Sequence, residues 1–239
     1  VSHSALFASA AVLAVTSAAG FFAAGQRIER ITVPERGAIH GGERAAAARV
    51  LRSEAKYGLI MVFLGACVFS TMVNFQTTYA KASGLDFAVF YVCYTAAVIG
   101  ARFILSGYIN RQEPQRMTVL LLTLMCAALG LFTLVGQSAL LYGSASALLG
   151  ISYGLVYPLI QAQSVNAVDQ QVRSRTLVYF SMAYFLGVFG FPMIGGQIIV
   201  QGGYQTLLAV LILIALGELA VAVWRMAATG ELTLGARSR

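Results

Sequence analysis

Two ionisable side chains lie well inside long apolar runs of this 239-residue sequence: Arg102, in FAVFYVCYTAAVIGARFIL, and Glu218, in LLAVLILIALGELAVAVW. A charge among apolar neighbours is costly unless it has a partner or a task, so both are candidates for function. Arg102 stands nine residues before Arg111, roughly 13 Å along a helix, which is deep for a guanidinium to reach an aqueous edge. It reads either as a substrate contact or as an anchor for backbone carbonyls at a helix end. Glu218 stands seven residues before Arg225, roughly 10 Å in by the same rise. It is a candidate proton or charge site, although the run around it otherwise looks lipid-facing.

Neutral polar groups form a second set. In the stretch 139–165, Ser146, Gly150 and Gly154 recur every four residues, a small-residue seam that lets another helix approach closely. Beside it, Tyr153, Tyr157 and Gln161 also recur every four residues and line one face of a helix. That face reads as a substrate-facing wall or as interhelical hydrogen bonding. The stretch 57–80 offers Thr71, Asn74 and Thr78 as a stripe, with Gln76 pointing elsewhere. A buried amide needs a partner; Asn74 finds it in a cavity or on a neighbouring helix. The candidate substrate contacts are Asn74, Gln76, Tyr94, Arg102, Tyr153, Tyr157, Gln161 and Tyr184.

Other chemistries find no support. Cys67, Cys93 and Cys126 all fall in apolar runs, without the spacing of a metal site. His3 lies at the outer edge and His40 in the polar stretch 26–56, neither at the membrane depth a Ser–His protease needs, so an intramembrane protease fits poorly. No metal, cofactor or nucleic-acid partner is expected.

The elements that carry these residues follow from composition. Hydrophobic residues make up 59% of the chain and charged ones 10%, with a mean hydropathy of +0.78. A soluble domain has about a quarter of its residues charged, so lipid is the solvent. Crossing a hydrocarbon layer takes about 20 helical residues. Stretches of that length run over 4–25, 57–80, 87–109, 117–136, 139–165, 176–199 and 206–224, with Pro158 and Pro192 interrupting the fifth and sixth. Around Pro192, Gly187, Gly190, Gly195 and Gly196 suggest either a flexible gate or close packing, of which packing with a proline kink is the simpler.

The net charge of +7 is concentrated in alternate connections: Arg27 to Lys56, then Arg111 and Arg116, then Arg173 and Arg175, then Arg225, Arg237 and Arg239. The opposite connections hold only Lys81. The positive-inside rule then places the basic connections and the C-terminus in the cytoplasm and Val1 outside. An outside start without a translocation signal suggests a fragment lacking an upstream segment. The expected organisation is a transmembrane helix over 1–25, a cytoplasmic linker over 26–56 with an amphipathic second half, a six-helix bundle over 57–224 and a cytoplasmic tail over 225–239. Within the bundle, two polar stretches are followed by a plain one, twice over. This suggests two inverted three-helix repeats whose third members face lipid.

Three segments are similar to a known family, the major facilitator superfamily. GARFILSGYINRQEPQR (100–116) resembles its cytoplasmic signature, with Arg102, Arg111 and Arg116 in place, Ser106 where glycine is usual and Asn110 replacing the usual aspartate. GISYGLVYPLIQAQSVNAVDQQVRSRT (150–176) resembles the tenth helix and the loop after it, and GVFGFPMIGGQIIVQGGYQTL (187–207) the eleventh helix and its turn into the twelfth. Phe185 stands where many members have an aspartate. The resemblance implies that residues 4–25 correspond to the sixth of twelve helices and 57–224 to the C-terminal bundle. It also implies alternating access around a central cavity, with a gate at Ser106, Gly107, Asn110, Arg111 and Arg116.

The function expected is secondary active transport of a small organic solute, amphipathic or partly anionic, as proton-coupled efflux across the cell's inner membrane. The partners are the substrate, protons, the bilayer and the missing N-terminal half. The alternatives are an uptake symporter of the same family and a complete seven-helix receptor. The receptor fits poorly, since the third stretch ends Tyr-Ile-Asn-Arg and the seventh lacks proline.

Overall fold

A segment without access to water must satisfy its backbone internally, and continuous apolar runs therefore fold as helices. The computed structural model describes residues 43–109 and 111–237 together with Thr16. The chain divides into two compact units, Val1–His40 and Gly41–Arg239. The expected helix over 4–25 and the start of the linker lie outside the described residues, Thr16 apart.

The second unit is all-α among its described residues, with no strand. A short helix α1 (Glu43–Arg52) leads into α2 (Ala55–Ala82), α3 (Phe87–Ile109), α4 (Pro114–Thr133) and α5 (Ala139–Asn166). A 3-10 turn (Gln170–Val172) then precedes α6 (Arg173–Arg237). Helix α6 contains one non-helical residue, Gly203 (φ 75°, ψ −179°), which divides it into a first limb over 173–202 and a second over 204–237. The uncharged connection expected over 200–205 thus shrinks to a single glycine, whose positive φ suits a residue without a Cβ. Gly84 and Gly136 take the same left-handed region in the turns after α2 and α4.

Local chemistry sets the other boundaries. Pro114 opens α4 in its first turn, where a missing N–H costs nothing, so this helix begins three residues earlier than the hydropathy suggests. Ser138 caps α5 by accepting from the Leu141 N–H. Ser53 joins α1 to α2: its hydroxyl donates to the Val50 carbonyl and accepts from the Ala55 N–H. Helix α1 is amphipathic, burying Ala46 and Val50, four residues apart, while Arg49 and Arg52 stay exposed.

Short connections make successive long helices antiparallel. The α1–α2 junction, the 110–113 connection, the 167–172 connection and the end of α6 therefore share one end of the bundle. A polar staple closes it. Gln163 of α5 donates to Thr118 (2.7 Å) and to the Pro114 carbonyl (3.2 Å) on α4 and accepts from Arg225 of α6 (3.0 Å). Arg225 also lies 3.7 Å from Glu54 at the start of α2. At the opposite end the seal is aromatic: Tyr79, Phe90, Phe132, Tyr142 and Tyr204 pack ring on ring. Two of the hydroxyls are satisfied internally: Tyr79 donates to the Phe132 carbonyl (3.0 Å) and Tyr142 to Gln76 Oε1 (2.8 Å).

Glycines set the helix pairings. A Cβ on Gly150 would lie 2.5 Å from the Tyr94 carbonyl oxygen, and one on Gly154 3.0 Å from Val98. The small-residue seam of α5 is therefore where α3 docks. A Cβ on Gly187 would lie 2.7 Å from the Phe63 carbonyl oxygen, and one on Gly195 3.2 Å from Thr71. The first limb of α6 packs on α2 through Gly187 and Gly195, while Gly190 faces open space.

Candidate functional site

Tyrosine and phenylalanine side chains from four helices meet in one cluster. Phe69 (α2) stacks on Tyr153 (α5) at 4.5 Å with rings nearly parallel, and also approaches Tyr94 (α3) at 6.2 Å. Tyr157 (α5) meets Tyr153 at 6.3 Å, Phe180 of α6 at 5.6 Å and Tyr184 of α6 at 5.1 Å, the last two edge to face. Tyr153 and Phe180 are buried, while Tyr94, Tyr157 and Tyr184 are half-buried. The cluster thus has an apolar floor and a rim of phenol groups. The Tyr153 hydroxyl is buried without a hydrogen bond. Such a surface offers ring faces and hydroxyls to a flat or amphipathic solute.

Of the expected contacts, Tyr94, Tyr153, Tyr157 and Tyr184 come together here, and Gln161 continues their face one turn along α5, half-buried. Two others lie elsewhere. Gln76 is 3% exposed and held by Tyr142 at the aromatic seal, so its amide serves the interior of the bundle. Asn74 is exposed and returns its amide to the Ser70 carbonyl of its own helix (2.8 Å). The stripe it was to form splits, because Thr71 is fully buried and Thr78 is exposed.

Arg102 has a specific partner. Its Nε donates to the Gly154 carbonyl at 3.3 Å. Residue 158 would normally supply the N–H for that carbonyl, four residues on, but Pro158 has none. The arginine replaces the missing donor and ties α3 to α5 across their seam. Arg102 is exposed on α3, and the carbonyl it holds lies in the interior of α5 rather than at a helix end.

Glu218 faces inward, contrary to the lipid-facing appearance of its run. It is 1% exposed, and a Cβ on Gly65 of α2 would lie 3.1 Å from both carboxyl oxygens. The plain stretches α4 and the second limb of α6 each bury one face, through Leu121, Met125 and Leu129 and through Leu207, Leu211 and Ala215. The most open surfaces belong to α3 and the first limb, with Phe103 85%, Phe189 71% and Met193 78% exposed.

In the segment expected to form a gate, Gly107, Arg111 and Arg116 are exposed, with open space around Gly107 and Arg116 paired with Glu113 at 2.7 Å. The Ser106 side chain and Asn110 lie outside the described residues. Phe69 and Phe180 were missed by sequence reasoning because they carry no polar atom. The signal available was Phe180 lying one helical turn before Tyr184. No group of His, Cys, Asp or Glu side chains among the described residues is arranged to hold a metal.

The family profile described as Major Facilitator Superfamily matches residues 2–192. An uncharacterized MFS-type transporter of Pseudomonas aeruginosa strain LESB58 is 31% identical over 191 residues, covering 77% of this chain and 46% of the relative; the counterpart in strain PAO1 gives the same values. A third relative, from strain UCBPP-PA14, is 32% identical over 163 residues, covering 66% of this chain and 39% of its own length. The chain thus spans about half the length of the curated relatives it matches.

Proposed function

The chain belongs to the major facilitator superfamily, a family of multi-pass integral membrane transporters rather than enzymes, and from that premise we propose that residues 57–224 form the C-terminal six-helix half of a secondary transporter. It moves a small organic solute by alternating access, in partnership with an N-terminal half whose last helix is represented by residues 1–25. Residues 26–56 serve as the cytoplasmic linker between halves, and 225–239 as a cytoplasmic tail. The membrane is the cell's inner membrane.

One observation carries this reading: the aromatic wall of Phe69, Tyr94, Tyr153, Tyr157, Phe180 and Tyr184, drawn from four helices. Two exposed apolar surfaces accompany it, on α3 and on the first limb of α6. A wall of phenols suits an aromatic, amphipathic or partly anionic solute. Efflux driven by protons is the direction we favour, with uptake by symport as the alternative.

The test uses the full-length protein carrying this chain, in proteoliposomes, with fluorescein as an anionic aromatic probe. Tyr157→Ala removes the ring that meets Tyr153, Phe180 and Tyr184. It should weaken probe binding about tenfold or more, a loss of roughly 1.4 kcal/mol. Unchanged binding and flux in this variant would remove the wall from the transport path. Accumulation driven by an inward proton gradient would mark symport, and extrusion driven by it would mark efflux.

A further inference from the structure

Glu218 is a carboxyl group inside a helix bundle, behind the aromatic wall rather than on it. It stands on the second limb of α6 with its oxygens against Gly65 of α2, and its Oε2 is buried without a hydrogen-bond partner. The absence of a Cβ at Gly65 is what leaves room for the group. Other titratable groups within electrostatic range are Cys67 of α2, Cys126 of α4 and Tyr153 of α5. None is a cation. The arginine of its own helix, Arg225, is committed seven residues away to Gln163 and Glu54. No ion pair to Glu218 forms among the described residues.

An ionised carboxylate so enclosed and unpaired is too costly to persist, so the side chain carries a proton there. A merely structural acid would spend its O–H on a fixed partner. Here a second buried polar atom without a hydrogen bond, the Tyr153 hydroxyl, lies in the same interior. Tyr153 is also part of the wall, stacked on Phe69. Two buried polar groups without hydrogen bonds, one on the wall and one behind it, each call for an explanation beyond packing.

We propose that Glu218 is an exchangeable proton site in the interior of the bundle, behind the aromatic wall. Uptake adds one proton to the Glu218 carboxylate and leaves a neutral carboxylic acid; release returns the proton and restores the carboxylate. That this proton is the one coupled to solute movement rests on the transport reading above.

The experiment is infrared difference spectroscopy of the full-length protein in lipid, between acid and alkaline pH, on wild type and Glu218→Gln. A carboxylic-acid carbonyl band should be present at low pH, vanish reversibly as pH rises, and be missing from the variant. A Glu218 band that persists at every pH, or a side chain ionised throughout, overturns the proposal. A second measurement needs no variant. A lipophilic carbodiimide adds to a protonated carboxyl, taking the proton on nitrogen and the oxygen on its central carbon, and then rearranges to a stable N-acylurea. Peptide mass spectrometry should find Glu218 labelled at low pH and protected at high pH; no label at any pH overturns the proposal. Fluorescein binding tests the transport reading separately. Glu218→Gln should retain it, since the residue is not in the wall, and loss of binding in the wild type would sink the wall while the carbonyl band still decides Glu218.

Discussion

Arg102 and Pro158 form a pair that only makes sense together. The proline deprives the Gly154 carbonyl of its intrahelical donor, and the arginine of the next helix supplies one at 3.3 Å. Leaving a partly buried acceptor without a donor costs about 1–3 kcal/mol, so Arg102→Ala should lower thermal stability in detergent by that order. Pro158→Ala restores an N–H four residues after Gly154, and in that background Arg102→Ala should cost much less. A double-mutant cycle measures the difference directly, and an additive result would show that the two residues act independently. Gln76 and Tyr142 make a similar test. Tyr142→Phe strips the phenol donor from the buried Gln76 oxygen and should cost about 1–3 kcal/mol, while leaving solute binding at the wall unchanged. The sequence made Arg102 conspicuous because of its depth, but not its partner, since the matching carbonyl belongs to a residue 52 positions away. Gln76 misled for the opposite reason: an amide in an apolar helix looks the same whether it meets a solute or a tyrosine.

At the scale of the helix, glycine content divides into contact sites and idle positions. Gly150 faces the Tyr94 carbonyl oxygen, where a Cβ would lie at 2.5 Å, whereas Gly130 of α4 has no atom within 4 Å of the same position. Gly150→Ala must therefore push α3 away from α5 and should destabilise by about 1–3 kcal/mol, as overpacking does. Gly130→Ala meets nothing and should stabilise by up to about 1 kcal/mol through helix propensity. Melting both variants against wild type tests the assignment of the α3–α5 seam, and similar losses in the two would refute it. The helices themselves were readable from the run lengths, because in lipid a continuous apolar stretch has few alternatives. The seam was readable too, since its four-residue spacing is a local property. Its partner helix was not, because the residues that approach Gly150 announce themselves by shape and not by type. The break in α6 was broader in the sequence than in space: the six residues 200–205 are uncharged, and nothing in their composition says that Gly203 alone turns the chain.

Over the whole bundle, the distribution of exposure distinguishes two kinds of apolar surface that hydropathy cannot tell apart. Helix α4 and the second limb of α6 bury one face and leave Leu120 and Leu213 outside, while α3 and the first limb leave Phe103, Met182, Leu186, Phe189 and Met193 open along much of their length. On the transport reading, the former surface meets lipid and the latter meets the other half. Lipid accommodates a large side chain anywhere on its boundary, but a helix–helix interface packs closely and does not. Tryptophan at Leu120 or Leu213 should therefore leave fluorescein flux in the full-length protein near the wild-type level. Tryptophan at Met182 or Met193 should reduce that flux severely at equal membrane abundance. Equal tolerance at all four positions would mean that α3 and the first limb also face lipid. The aromatic wall would then lie on the outside of the bundle, open to the hydrocarbon and closed to any aqueous solute.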